Sequence, residues 1–143
     1  MKQVTIFTDG ACSGNPGAGG WAALLRFGEH EKLISGTEKQ TTNNRMELRA
    51  AIEGLKALKN PCYVIVVTDS QYVRKGITEW IIQWEKRAWK TSNNEAVKNI
   101  DLWQELLLQS KLHKIEWQWV KGHSNHPENT LVDKAAKAAI NKE

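Results

Sequence analysis

The chain is poor in the residues that staple or chelate. Its 143 residues include only two cysteines, Cys12 and Cys62, and no C-x-x-C. That spacing excludes a cysteine zinc site and a redox dithiol, and free thiols are expected. No apolar stretch approaches the ~20 residues that a membrane span needs. The N-terminus, MKQVTIFTDG, carries one lysine and an alternating apolar run instead of the h-region of a signal peptide, so a cytoplasmic protein is expected. No G-x-x-x-x-G-K-[ST] occurs, which removes a P-loop. Repeats, low-complexity tracts and long linkers are absent too. One domain spanning residues 1–143 is therefore expected, without a further binding module or tail.

What is present is ordinary in bulk and uneven in placement. Hydrophobic residues make up 41% and charged residues 25%, as in a typical globular chain. The net charge of +4 leans only mildly toward polyanions. However, residues 86–98, KRAWKTSNNEAVK, hold four basic residues against one acid. Trp80, Trp84, Trp89 and Trp103 lie in or near this stretch. Helical spacing suits Trp80 and Trp103 to core packing. Trp84 and Trp89 bracket EKRA and are harder to bury. Aromatics interleaved with Lys86, Arg87 and Lys90 fit either a solvated helix tip or a groove that follows a sugar-phosphate backbone.

Periodicity predicts the element order. Val4–Thr8 reads as a strand, and Trp21–Phe27 with Lys32–Thr37 as a hairpin. Asn44–Leu58 has helical spacing and is ended by Asn-Pro. Tyr63–Thr68, YVIVVT, is a continuous β-branched run suited to a central strand buried on both faces. A helix opens near Ser70, another covers Ala96–Ser110, Lys114–Val120 alternates as a strand, and Thr130–Ile140 is the last helix. Three strands followed by helix-linked strands predict a mixed sheet, part antiparallel and part parallel. Functional groups should gather at the C-terminal ends of its parallel strands.

Four acids fall at element ends. Asp9 closes the first strand, Asp69 closes the central one, Glu47 sits in the first turn of the first long helix, and Asp133 lies near the start of the last. Singly, each has a plain explanation: a turn residue for Asp9, a capping box with Asn44 for Glu47, an N-cap pair for Asp69-Ser70, a helix-dipole acid for Asp133. Converged, they need protons or cations, since two charges about 4 Å apart repel by roughly 4 kcal/mol at an effective dielectric of about 20. Hard divalent ions with oxygen ligands answer that need, and a pair of Mg²⁺ suits phosphoryl displacement. The stretch from Gly17 to Ala22 matches G-x-G-x-x-A, but WAALLRF after it reads as a strand, which removes a dinucleotide site. Those glycines serve either as a permissive connection or as a place where backbone approaches a ribose-phosphate chain. His123, in KGHSNHPEN, is an incidental loop residue or a mobile proton carrier.

Together, TDGACSGNPG, NNRMELRAAIEGL, VVTDSQYV, WVKGHSNHPEN and VDKAAKAA resemble ribonuclease H, type 1, of the bacterial stand-alone kind. The match runs in order over nearly the whole chain. The resemblance implies the ribonuclease H-like fold, an α/β (mixed α+β) arrangement with a five-stranded mixed sheet flanked by helices. It implies metal-dependent endonucleolytic hydrolysis of the RNA strand of RNA/DNA hybrids, leaving 3′-hydroxyl and 5′-phosphate ends. Two Mg²⁺ ions, for which Mn²⁺ can substitute, would be held by Asp9, Glu47, Asp69 and Asp133, with Asp9 bridging them. His123 would move protons or help release product. Cys12, Asn15, Asn43, Asn44 and Gln71 would meet the hybrid near the scissile strand and its 2′-hydroxyls. Thr42 and Asn15 would hold a DNA phosphate. Residues from about 80 to 98 would form a basic protrusion gripping the DNA strand through Trp80, Trp84, Lys86, Arg87, Trp89 and Lys90. Glu85 and Ala88 depart from that pattern, where many relatives carry a base and some a glycine. A monomer with no membrane and no obligate protein partner is expected.

Three rivals stand against this reading. A glycoside hydrolase would use two of the acids, with tryptophans stacking on sugar, but four acids beside clustered Lys/Arg argue against it. Resolvases and transposases share the fold and differ in cutting DNA. A silent hybrid-binding module would be expected to have lost at least one acid.

Overall fold

The computed structural model describes residues 1–122 and 126–141. Its β-branched and alternating runs pair into one sheet of five strands in the order β3-β2-β1-β4-β5. These are β1 (Lys2–Gly14), β2 (Gly17–Phe27), β3 (His30–Thr41), β4 (Cys62–Thr68) and β5 (Lys114–Trp119). β1, β2 and β3 form an antiparallel meander. β4 lies parallel to both β1 and β5. The five-stranded mixed sheet with flanking helices is the expected fold class.

Helices cover the sheet through their apolar faces. In α1 (Asn43–Lys56), Leu48, Ala51, Ile52 and Leu55 recur at helical spacing and are all buried. They join Val4, Ile6, Val64 and Val66 of the parallel strands and Trp103 and Leu106 of α4 (Ile100–Ser110) in the main core. On β1 and β2, Val132 and Ala136 of α5 (Pro127–Ile140) meet Ala11, Ala22 and Leu24 in a smaller cluster. Between β4 and α4 the chain forms α2 (Gln71–Lys75), one π-helical turn (Gly76–Trp80) and α3 (Ile81–Lys86). Among the described residues, no helix is long and apolar enough to cross a membrane. Both cysteines are free thiols.

Several boundaries differ from the sequence expectation. The glycine-rich stretch is mostly sheet: β1 runs on to Gly14, β2 starts at Gly17, and only Asn15-Pro16 connects them. Local propensity disfavours glycine in strands, but pairing of β1 with β2, and of β2 with β3 on its other side, overrides it. α4 begins at Ile100, not Ala96, because Asn99 sits at φ 61°, outside right-handed helix geometry. Asn tolerates this backbone better than most residues. α5 begins at Pro127 instead of Thr130, with proline in the first turn where its missing N–H costs nothing. The N-cap of α1 is Thr42, whose Oγ1 accepts from the Arg45 backbone N–H at 3.3 Å. That removes the Asn44/Glu47 capping box and leaves Glu47 for another role.

Candidate active site

Parallel pairing sets Asp9 and Asp69 side by side, although Asp9 lies within β1 and does not end it, because pairing with β2 carries the strand on to Gly14. The β1–β4 register reaches Phe7↔Val67. Two residues further on along each chain stand Asp9 and Asp69, at the C-terminal ends of the parallel pair. Ser70, just after Asp69, caps α2 by accepting from Val73 N–H at 3.1 Å. The Trp119 indole donates to the Asp69 carbonyl at 3.0 Å, so the end of β5 anchors this corner.

Glu47 arrives from above, on α1. Gly10 is what lets it come so near. A Cβ at position 10 would lie 2.5 Å from both the Glu47 nitrogen and the Met46 carbonyl carbon. Gly10 is therefore a contact glycine, and Asp9 is not a turn residue: it sits within β1, opposite Ala22 of β2. Asp9 and Glu47 are each only 6% exposed. Asp9, Glu47 and Asp69 each offer a carboxylate oxygen, and these oxygens all lie within 4.8 Å of one another.

Burial raises all three acids, and neighbouring negative charge adds to it. Asp9 is pushed up to about 8, first by burial, then by the charges of Asp69 and Asp133. Glu47 is held well above the usual carboxylate range by burial and by Asp9 and Asp69. Asp69 is raised chiefly by burial. Hydrogen bonds oppose the rise: Gly10 N–H donates to Asp9 Oδ1 at 3.0 Å and favours its charged form. Glu47 Oε1 is buried with no hydrogen-bond partner. A buried, unpartnered carboxylate oxygen beside two more acids is a donor set that fits a hard divalent cation.

Asp133 stands at the margin of this trio. It lies in the second turn of α5, where a helix-dipole role is weak, and its Oδ2 accepts from Lys137 Nζ at 3.1 Å. It is near enough to help raise Asp9. α5 reaches β2 at Gly20, where any Cβ would collide with the Ala136 carbonyl. His123 lies outside the described residues.

The polar positions around the trio divide. Asn15 Oδ1 accepts from Asn43 N–H at 3.2 Å, which ties the β1–β2 turn to the start of α1. Asn43, Asn44 and Gln71 are exposed. The Cys12 thiol is directed to the carbonyls of Gly17 and Thr41, so its proton is used inside the sheet corner. Asn15, Pro16, Thr42, Asn43 and Asn44 line a cleft of about 340 Å³ together with Lys98 and Asn99. Lys98 closes the basic stretch 86–98, whereas Asn99 belongs to none of the motifs above. The helix-start signature Asn99-Ile100-Asp101, a cap residue followed by a first-turn acid, is what would have marked it.

The tryptophans of the protrusion pack inward more than expected. Trp80, Trp84 and Trp89 are half-buried against the main core. Trp84 is central, with ring centroids 6.0 Å from Trp80, 6.3 Å from Trp89 and 5.4 Å from Trp103. Left-handed backbone at Ala88 (φ 54°) and Trp89 (φ 63°) turns the chain back after α3, and Trp89 N–H donates to the Trp84 carbonyl at 2.7 Å. Lys86, Arg87 and Lys90 are exposed on this platform.

A mixed five-stranded sheet with a buried carboxylate trio at the ends of its parallel strands defines an enzyme of the nuclease class, a hydrolase. The chain belongs to the RNase H family, in its bacterial type 1 branch, and the RNase H family model matches residues 1–141. It is 63% identical over 139 residues to a ribonuclease H of Novosphingobium aromaticivorans, covering 97% of each chain. It is 60% identical over 139 residues to a ribonuclease H of Chromohalobacter salexigens, covering 97% of this chain and 85% of that one. Among solved structures it resembles LC9-RNase H1, a type 1 RNase H with the type 2 active-site motif. That likeness has a TM-score of 0.90 and 32% identity over 99% of this chain and 73% of the other.

Proposed function

We propose that this chain hydrolyses the RNA strand of RNA/DNA hybrids internally, with two Mg²⁺ ions in the reacting complex, leaving 3′-hydroxyl and 5′-phosphate ends. The observation that carries this reading is the Asp9–Glu47–Asp69 trio, with its oxygens within 4.8 Å and Glu47 Oε1 buried without a partner. Asp9, Glu47, Asp69 and Asp133 would hold the ions, and Mn²⁺ would serve in place of Mg²⁺. Bound there, the cations would activate water and stabilise the charge that develops on the leaving oxygen. The carboxylates must shed their protons to bind, so cation binding and proton release are linked. His123 is assigned proton transfer on its sequence position alone.

The hybrid would enter across the C-terminal ends of β1 and β4. Asn43, Asn44 and Gln71 are exposed beside the trio and would read the minor groove, where the 2′-hydroxyl distinguishes RNA from DNA. Asn15 and Thr42 would meet a DNA phosphate, and Cys12 would support them from within the sheet corner. Trp80, Trp84 and Trp89 would act as a rigid platform for Lys86, Arg87 and Lys90. Residues 1–143 would work as one domain, a cytoplasmic monomer acting on nucleic acid away from membranes.

The direct test uses one end-labelled RNA as a single strand, paired with RNA, and paired with DNA. Internal cuts confined to the DNA-paired form and lost with EDTA are expected. Cutting of DNA duplexes, or a gel shift of the hybrid without cuts, would refute the reading. Removing the charges of Lys86 and Arg87 together should raise KM and flatten its salt dependence by about 0.9 in log–log slope for each phosphate left without its cation. An unchanged KM would take the protrusion off the substrate path.

A further inference from the structure

Arg45 is the third residue of α1 and stands next to the polar cleft at that helix's N-terminus. Its guanidinium is not free. Nη1 and Nη2 donate to Asp101 Oδ1 and Oδ2 at 3.0 and 2.7 Å, a two-pronged fork. Nη1 also donates to Asn99 Oδ1 at 3.2 Å, and Asn99 lines the cleft. The Asn99 amide in turn donates to the Tyr72 hydroxyl at 3.0 Å, which also accepts from the Trp103 indole at 3.0 Å. Arg45 is thus fixed at the cleft wall by a chain of bonds reaching the aromatic platform. Its partner Asp101 has a side chain 61% exposed, against 27% for Arg45.

An exposed acid is an odd choice here. The surface otherwise presents Lys98, Asn99, Asn43 and Asn44 to a polyanion. A carboxylate and a phosphodiester engage guanidinium through the same two parallel N–H···O bonds. We propose that Asp101 is a built-in competitor of the substrate phosphate: it occupies the fork of Arg45 and so lowers the affinity of this cleft for nucleic-acid backbone. A duplex must displace Asp101 to gain the full charge of Arg45. This tempers binding of any polyanion and makes retention depend on the groups near the trio, which meet the 2′-hydroxyl. The inference rests on the hybrid-cleaving reading given above.

Asp101→Asn tests it, with KM and kcat measured on the hybrid over a salt series and binding followed by fluorescence anisotropy in EDTA. KM and the dissociation constant should fall about twofold to fivefold, the size expected for releasing one partly exposed charge. The log–log salt slope should steepen by about 0.9, one more phosphate neutralised. Binding of plain DNA duplex should tighten at least as much. Adding Arg45→Ala to Asp101→Asn should cancel the gain, while Asp101→Glu, which keeps the charge, should stay near wild type. A rise in KM for Asp101→Asn would mean that Asp101 presents Arg45 to the phosphate and would overturn the proposal. So would an unchanged KM and slope with a lowered Tm, the mark of a mere α1–α4 staple. Wild-type cleavage in the same assay separates the two readings. No cleavage of the hybrid by wild type refutes the function itself, whereas cleavage with an unshifted variant refutes only the role of Asp101.

Discussion

Asp9→Asn is expected to lower cleavage of the hybrid by on the order of a thousandfold or more while hybrid binding changes by no more than a few-fold. Asp9 is the acid that faces both neighbours: it lies beside Glu47 and Asp69 in one group and is raised by Asp133 as well. Losing its charge weakens the divalent site, and several kcal/mol of transition-state stabilisation correspond to about 10³ in rate. Binding depends mainly on Lys/Arg contacts to phosphate, which this substitution leaves in place. Retained full activity would refute Asp9 as a metal ligand. The same variant has a second signature in the metal-free protein. Asp9 rises from 3.8 to about 8 in the folded state, so its contribution to stability is complete below pH 4 and is lost as pH rises through 8. Metal-free wild type should therefore lose stability across that window. Asp9→Asn should remove much of the loss, gaining on the order of a few kcal/mol at pH 9, and Mg²⁺ should restore the wild type at that pH by favouring the charged trio. Urea melts at pH 4, 6 and 9, with EDTA or Mg²⁺, would read this directly. A flat wild-type profile in EDTA would show that the three acids are not held as a buried cluster.

Gly10→Ala should damage stability and chemistry together. The added Cβ would meet the backbone of Met46 and Glu47 at 2.5 Å, and backbone within a capped helix cannot yield as a flexible side chain does. α1 must retreat from β1, at a cost of at least about 3 kcal/mol, the upper range for overpacking. For a chain of this size that is a fall in Tm of roughly 6–12 °C. The retreat also carries Glu47 away from Asp9. A shift near 1 Å at a reacting centre typically costs about a hundredfold, so kcat should fall that far in whatever protein remains folded. Normal Tm and normal kcat together would mean that α1 does not approach β1 so closely. Loss of Tm with full kcat would uncouple the helix position from the chemistry.

Much of the fold was legible because its signals are local. YVIVVT announces an interior strand through β-branching alone, but not burial on both faces: β4 is one place off centre, Tyr63 is exposed and Ile65 only partly buried, because among the described residues no helix covers that end of the second face. The apolar stripe of α1 announces a helix through its period. The acids Asp9 and Asp69 stood out because each follows such a run directly. The failures have equally local causes. Val97 fits the helical spacing of α4, but the left-handed backbone of Asn99 intervenes, and a spacing rule is blind to that. The glycines between Asp9 and Trp21 suggested a loop because glycine has little preference of its own, so sheet pairing decided the matter. Trp84 and Trp89 looked too close to charge to be buried, although the turn at Ala88 folds Trp89 back onto Trp84.

The sequence by itself determined which groups were available: four acids, one basic stretch, and glycines where side chains would obstruct. The order of strands and helices also followed from patterns within a few residues. Only the tertiary structure decided how far apart those groups stand. Asp9 and Glu47 meet because Gly10 admits α1, Asp133 stays at the margin on α5, and Arg45 spends its charge on Asp101, 56 residues away in sequence. The reason is that period and propensity act between neighbours along the chain. Burial, repulsion and ion pairing act through space, at distances set by how whole elements pack.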